Sequence, residues 1–250
     1  MNNIETMLKN SVAIVPVHNA AEYATATLDW IITNHPEMYL IVVDDCSTPE
    51  THRALRQILE THPTKNYQLI TLGKQQLFTR AVNTGIRAAN EHRRIPFEYC
   101  FIVNSDCMLK ENGFENLLIP FTVNPDMGLT GYTDSPQHHP KETYTIVESP
   151  HFVTGHFMCV KFEVFKKVGV FCETDLGGPT TNYPEFAGLK GLAHIGSDRY
   201  FSNLIRMYGY KTAYVNFPGV EHRAGQSWGH RLDWLANFNL ELLWEPYNTL

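Results

Sequence analysis

The sequence predicts an α/β fold whose first half is a sheet of mostly parallel strands flanked by helices, followed by a mixed second half. Three observations lead there. Short apolar runs alternate with segments of helical period through the first hundred residues. The runs at Val17, Val43 and Val103 each give way to a polar turn. At 250 residues the chain is long enough to bury such a sheet without disulfides.

Taken in order, Ser11 to Val17 reads as a buried first strand, and Glu22 to Thr33 as a helix ending before His35-Pro36. Tyr39 to Val43 is a second buried strand that stops at Asp44-Asp45-Cys46-Ser47. The next helix runs from about Glu50 to Thr61, with Ser47 or Thr48 as its cap and Pro49 near its first position. Tyr67 to Leu72 is a third strand, Phe78 to His92 a helix, and Glu98 to Val103 a fourth strand entering Asn104-Ser105-Asp106. From about Pro120 the rhythm changes. Gly128 to Tyr132, Tyr144 to Val147 and Phe157 to Val160 read as strands, and Glu163 to Val168 as a short helix. Gly177 to Gly191 reads as a long irregular loop of the kind that serves as a lid or binding element. Ser197 to Tyr208 is a helix closed by Gly209, Thr212 to Asn216 a strand, and Trp228 to Trp244 an aromatic-rich amphipathic helix. With no repeat or linker, residues 1–250 read as one domain: a first half over about 11–119, a second over about 120–227, and a helical tail from 228.

Composition narrows the function classes. Hydrophobic residues are 43% and charged residues 18%, ordinary for a soluble globular enzyme. A net charge of −6 gives no general attraction to nucleic acid or anionic membrane. The five cysteines (Cys46, Cys100, Cys107, Cys159 and Cys172) are scattered with no CxxC pair, which points to free thiols in a reducing, cytoplasmic setting. Met1 to Asn10 lacks the apolar stretch of a secretory signal, and no window approaches the roughly 20 apolar residues of a membrane span. His138, His139, His151, His156 and His194 fall into no zinc spacing and read as scattered loop residues.

Several phrases together resemble the family-2 glycosyltransferases. These are Val15-Pro16-Val17-His18-Asn19-Ala20, Ile41-Val42-Val43-Asp44-Asp45-Cys46-Ser47, Arg80-Ala81-Val82-Asn83-Thr84-Gly85-Ile86 and Asn104-Ser105-Asp106. Further on come Thr154-Gly155-His156-Phe157, Val164 to Gly169, Gly196-Ser197-Asp198, and Glu221-His222-Arg223-Ala224-Gly225-Gln226-Ser227. The last is similar to the ending of bacterial rhamnosyltransferase-like members. The resemblance covers roughly residues 11 to 227 and implies the GT-A fold and an inverting reaction. The chain departs from the family at Asn104, which replaces the first metal-motif carboxylate, at His18, at Ser197, and near Leu77, where a glycine is expected.

That resemblance implies a nucleotide-sugar donor (UDP-, dTDP- or GDP-linked) and an acceptor hydroxyl. Charge building on the leaving diphosphate is neutralised by a hard divalent cation, Mn²⁺ or Mg²⁺. Asp106 is the metal carboxylate and His222 a later ligand, a histidine mildly favouring manganese. Without a metal, Asp106 would cap its turn. Asp45 accepts from a base N–H; the alternative is an acid at a helix N-terminus. On the donor side, Pro16, His18 and Asn19 form the first turn, with His18 either stacking on the base or capping. Asn104 meets ribose or diphosphate, and Arg80 meets the phosphates or solvent. Asp198 is the catalytic base, a role compatible with capping its helix.

Two other function classes compete. A sugar nucleotidyltransferase needs a Gly-rich phosphate loop after the first strand, where this chain has Pro16-Val17-His18-Asn19-Ala20. A non-catalytic sugar-nucleotide-binding module is disfavoured by Asp106, Asp198 and His222. The acceptor class and oligomeric state are not legible in the sequence.

Overall fold

The computed structural model describes residues 3–92, 96–132, 145–148, 152–173, 197–215 and 219–223. The 177–191 loop, the tail beyond Trp228, and His138, His139, His151 and His194 lie outside the described residues.

A short helix α1 (Asn3–Lys9) leads into β1 (Ser11–Val17), every residue of which is buried. Then follow α2 (Ala21–Asn34), β2 (Tyr39–Asp44), α3 (Pro49–Thr61), β3 (Tyr67–Thr71), α4 (Leu77–Glu91) and β4 (Tyr99–Val103). The second half contains β5 (Cys107–Leu109), α5 (Gly113–Val123), β6 (Met127–Gly131), β7 (Ile146–Glu148) and β8 (Phe157–Lys161). It closes with α6 (Phe162–Val168), α7 (Ser197–Met207), β9 (Lys211–Val215) and β10 (Val220–His222).

Eight strands form one sheet in the order β3-β2-β1-β4-β8-β6-β9-β7. The first four are mutually parallel, β1 lying between β2 and β4 with Ile14 opposite both Ile41 and Ile102. Direction reverses at β8, which runs antiparallel to both β4 and β6, while β9 returns parallel to β6. The parallel half has apolar clusters on both faces, as continuous Val/Ile runs require. Each fully buried aliphatic side chain there contributes about 1.5–3 kcal/mol.

Local chemistry sets the helix positions. Thr48 caps α3 by accepting from the Thr51 N–H, with Pro49 in the first turn, as its sequence predicts. On α4, a Cβ at Gly85 would come within 2.5 Å of the Ile14 side chain, so glycine lets the helix press onto β1. Asn83 on the same helix is fully buried; its amide donates to Phe171 O (2.7 Å) and Glu173 Oε1 (2.9 Å) and accepts from Phe171 N (3.1 Å). The Arg-x-x-Asn-x-Gly segment therefore joins the two halves of the molecule. Four elements, α1, β5, α5 and β10, carry no expectation from the sequence. Two of them build the site.

Candidate active site

The strand ends of β1, β2 and β4 open onto a cavity of about 170 Å³, the place where parallel α/β sheets bind ligands. It is lined by Pro16, Val17, His18, Asp45, Gln75, Leu77, Phe78, Ala81, Asn104, Ser105, Asp106 and His222. The lining has two carboxylates and, among the described residues, no lysine or arginine.

The first wall is a knot between two loops. His18 donates from Nδ1 to the Asp45 carbonyl (2.8 Å), and its Nε2 accepts from the Asn19 amide (3.0 Å). This network assigns the proton to Nδ1. Asn19 crosses to the β2–α3 turn, donating its N–H to Ser47 Oγ and accepting from Thr48 N, both at 2.9 Å. Asn19, Ala20 and Cys46 all adopt left-handed backbone (φ 59°, 53° and 57°), conformations a non-glycine residue holds only under surrounding constraint. Both His18 nitrogens are thus spent on the scaffold, leaving the ring face toward a ligand. Asp44 supports the turn from below, accepting from Ser47 N (2.9 Å) and pairing with His52 Nδ1 (2.8 Å).

Asp45 is buried, and its two oxygens accept the N–H groups of Gln76 (2.6 Å) and Leu77 (2.7 Å). Burial raises its pKa against the opposing pull of those N–H groups. It therefore holds the entry to α4 in place, and its remaining lone pairs face the cavity. Leu77 sits where a glycine is expected from the family pattern, and its φ of 68° is the left-handed value such a glycine would accommodate.

The opposite wall carries the metal candidates. β5 and β10 form a two-stranded antiparallel ribbon with His222 opposite Cys107. His222 Nε2 thereby lies 3.2 Å from Asp106 Oδ1, both side chains mostly buried. The Cys107 sulfur belongs to the same group, the three donor atoms lying within 4.8 Å of one another. The His156 ring stacks on His222 with centroids 4.7 Å apart and planes 12° from parallel. His156 lies in the turn before β8, a loop position as its sequence suggests, but it is buried against His222. The ribbon is anchored from two sides. The Thr27 hydroxyl on α2 lies 3.0 Å from Ser105 O and 2.9 Å from Cys107 O, its one proton shared between them. Gly219, entering β10, lies so close to Tyr132 that a Cβ would fall 1.9 Å from the phenol oxygen. A carboxylate and an imidazole at this separation form an oxygen/nitrogen donor set suited to Mn²⁺ or Mg²⁺.

Asp198 lies in the first turn of α7, partly buried. It accepts from Gly155 N (2.9 Å) and Arg199 N (2.8 Å). Burial is the main influence on its carboxyl and raises the pKa beyond what those N–H groups offset. A Cβ at Gly155 would sit 3.4 Å from the Phe78 ring and 3.5 Å from Asp198 Cβ. Asp198 does not line the cavity; Gly155 brings it near Phe78, which does, and it stands on an element different from the metal pair.

The remaining sequence candidates divide. Pro16 and Asn104 line the cavity, and Asn104 Oδ1 is buried with no hydrogen-bond partner among the described residues. Asn19 is one step back, in the loop knot. Arg80 is exposed and outside the cavity lining; its charge acts on Glu173. Burial opposes ionisation of Glu173, but Asn83, Arg87 and Arg80 together hold its carboxyl below the usual value. Thr27, Gly219 and Cys107 belong to the site by tertiary position, with no spacing signal in the sequence, while His156 stands within the recognisable Thr154-Gly155-His156-Phe157 phrase.

Residues 12–169, more than half of the chain, match the family described as glycosyl transferase family 2. Among curated proteins, none matches the chain by sequence. Solved structures do match in fold. One is a mannosyltransferase from Pyrobaculum calidifontis in complex with GDP-Man and Mn²⁺, at 19% identity and TM-score 0.59, covering 86% of this chain and 58% of that one. Another is GalNAc-T7 with UDP, GalNAc and Mn²⁺, at 14% identity and TM-score 0.61, covering 85% and 43%. A third is TarS of S. aureus, at 15% identity and TM-score 0.58, covering 84% and 36%. At these identities the likeness is one of fold, the GT-A arrangement. The chain spans less than two thirds of each of these three proteins. Among the described residues, no helix is long and apolar enough to cross a membrane.

Proposed function

We propose a reaction from one premise: the chain belongs to glycosyl transferase family 2 and is a glycosyltransferase. The reaction is metal-dependent transfer of a sugar from a nucleotide-sugar donor to an acceptor hydroxyl, with inversion at the anomeric carbon. One observation carries the metal dependence. The cavity lining holds Asp45 and Asp106 and, among the described residues, no lysine or arginine, so without a metal a diphosphate would meet the two carboxylates unopposed by a permanent cation. Asp106 and His222 would hold a divalent cation, which when bound neutralises charge on the leaving diphosphate.

The donor side is assigned to Pro16, His18, Asn19, Asp45 and Asn104. The His18 face stacks on the base, while its nitrogens and Asn19 keep the loops closed around it. The free lone pairs of Asp45 accept from a base N–H, since its other capacity is spent on the 76–77 backbone. The orphaned Asn104 Oδ1 is an acceptor, so it selects a ribose hydroxyl over a phosphate oxygen. Arg80 is assigned to the electrostatic support of Glu173, in place of direct phosphate contact.

Asp198 acts as the base. Asp198 lies outside the cavity lining but near Phe78 across Gly155, and in this role it removes the acceptor proton as the hydroxyl attacks opposite the leaving group. Burial raises its pKa, which makes it a better proton acceptor than an ordinary aspartate. The deciding experiment is Asp198→Asn with a panel of nucleotide sugars and Mn²⁺. Donor binding is expected to survive, with transfer and donor hydrolysis lost. Unimpaired turnover in that variant removes the assignment. Donor binding with no transfer or hydrolysis by the unaltered protein would favour a non-catalytic module.

A further inference from the structure

We infer that Cys107 is a third, sulfur donor at the Asp106–His222 site, so that the site also takes thiophilic divalent cations such as Zn²⁺ and Co²⁺, in a state distinct from the one Mn²⁺ occupies. The inference rests on the reading of Asp106 and His222 as metal ligands. Directly opposed residues of an antiparallel ribbon present their side chains on the same face, and Cys107 is opposite His222. The Asp106, Cys107 and His222 donor atoms lie within 4.8 Å of one another. A tetrahedral zinc with Zn–S about 2.3 Å and Zn–N about 2.0 Å separates its sulfur and nitrogen by about 3.6 Å, so side-chain shifts of about an ångström close the set. Two ligands of this kind suffice for a hard ion completed by phosphates; a thiolate adds what zinc and cobalt prefer.

The protein already makes room for this change. The Cys107 thiol donates to His156 O at 3.3 Å, and the same carbonyl accepts the Asn104 N–H at 2.7 Å. On metal binding the S–H bond breaks, its proton passes to buffer, and a sulfur–metal bond forms. The His156 carbonyl stays satisfied by Asn104. Thr27 and the β5–β10 pairing keep the backbone at Cys107 fixed in either state. The consequence is competition, with Zn²⁺ displacing Mn²⁺ from the same ligands.

Cobalt reads the sulfur directly. With one equivalent of Co²⁺, the unaltered protein is expected to show visible d–d bands together with near-ultraviolet sulfur-to-cobalt charge transfer. Cys107→Ser is expected to keep the d–d bands, lose the charge transfer, and bind Zn²⁺ at least roughly 10–100-fold more weakly. Mn²⁺ affinity, read by electron paramagnetic resonance, is expected to stay unchanged. X-ray absorption at the zinc edge of the unaltered protein gives an answer that does not depend on the variant folding, with one sulfur neighbour at about 2.3 Å expected. Cobalt bands without charge transfer, charge transfer that persists in Cys107→Ser, or a zinc shell of oxygen and nitrogen alone each overturn the inference. If the unaltered protein binds neither Mn²⁺ nor Co²⁺, the Asp106–His222 reading falls first and this one with it. Mn²⁺ binding with a sulfur-free zinc shell sinks only the sulfur.

Discussion

Replacing Leu77 by alanine and by glycine separates backbone strain from side-chain burial at the mouth of the cavity. Leu77 holds φ at 68° while its N–H donates to Asp45 at 2.7 Å. An L-residue in that left-handed region costs about 1–2 kcal/mol. Alanine keeps the strain and loses the side chain. Full burial of leucine contributes about 1.5–3 kcal/mol, so this half-buried one is worth about 1 kcal/mol, the expected loss in Leu77→Ala. Glycine loses the same contact and relieves the strain, but gives the unfolded chain extra entropy worth about 0.4–1 kcal/mol. The glycine variant should therefore exceed the alanine variant by about 0.8 kcal/mol and lie close to the unaltered protein. For a chain of this length that difference is about 2–3 °C in Tm, measurable by circular dichroism with reversibility checked. At an ordinary helical position glycine is the less stable of the two by about 0.5–1 kcal/mol, so the sign decides. Alanine equal to or above glycine refutes the strain argument and the placement of the loop with it.

The Asp198 carboxyl has a pKa raised above its ordinary 3.8 by burial, so the folded state holds the proton more tightly than the unfolded state. Its contribution to stability is fully present below 3.8 and is lost as pH rises through the folded value; in urea melts the unaltered protein should lose stability relative to Asp198→Asn as pH rises through that value. The variant's turnover should fall roughly 10²–10⁴-fold, and the acid limb of kcat/KM in the unaltered protein should lie above 3.8. Gly219→Ala should drive β10 away from Tyr132 and separate His222 from Asp106, weakening Mn²⁺ by roughly tenfold or more in paramagnetic resonance titrations. Asn83→Ala should cost roughly 2–4 kcal/mol in urea unfolding, because it orphans the buried Phe171 backbone groups.

The parallel half was legible because its signals are local. The Val/Ile runs of β1, β2 and β4 and the Thr48-Pro49 start of α3 each need only a few neighbouring residues to be recognised. The missed elements lack such signals. β5 and β10 are three residues long and pair across more than a hundred positions, so neither has a period to detect. α5 is apolar around most of its circumference, starts at a left-handed Asn112 and contains Pro120, which reads as a break. α1 is a single polar-looking heptad that packs beside α5, with Met7 and Leu8 buried in the core cluster by tertiary contacts the heptad itself does not announce. The site followed the same division. Asp45, Asp106, Asp198 and His222 sit in recognisable phrases, whereas Thr27, Cys107 and Gly219 matter through contacts that only the folded ribbon creates. Arg80 belonged to a recognisable phrase too, yet the neighbours of that phrase show a helix tied to Phe171 and Glu173.

Calorimetric titration of a nucleoside diphosphate into the protein, with and without Mn²⁺ and with Asp106→Asn alongside, tests the central claim most directly. The anionic cavity predicts binding that requires Mn²⁺ and is lost or weakened at least roughly tenfold in Asp106→Asn, where a metal carboxylate is removed from a fold otherwise intact. Equal affinity with and without the metal, or in the variant and the unaltered protein, would contradict it.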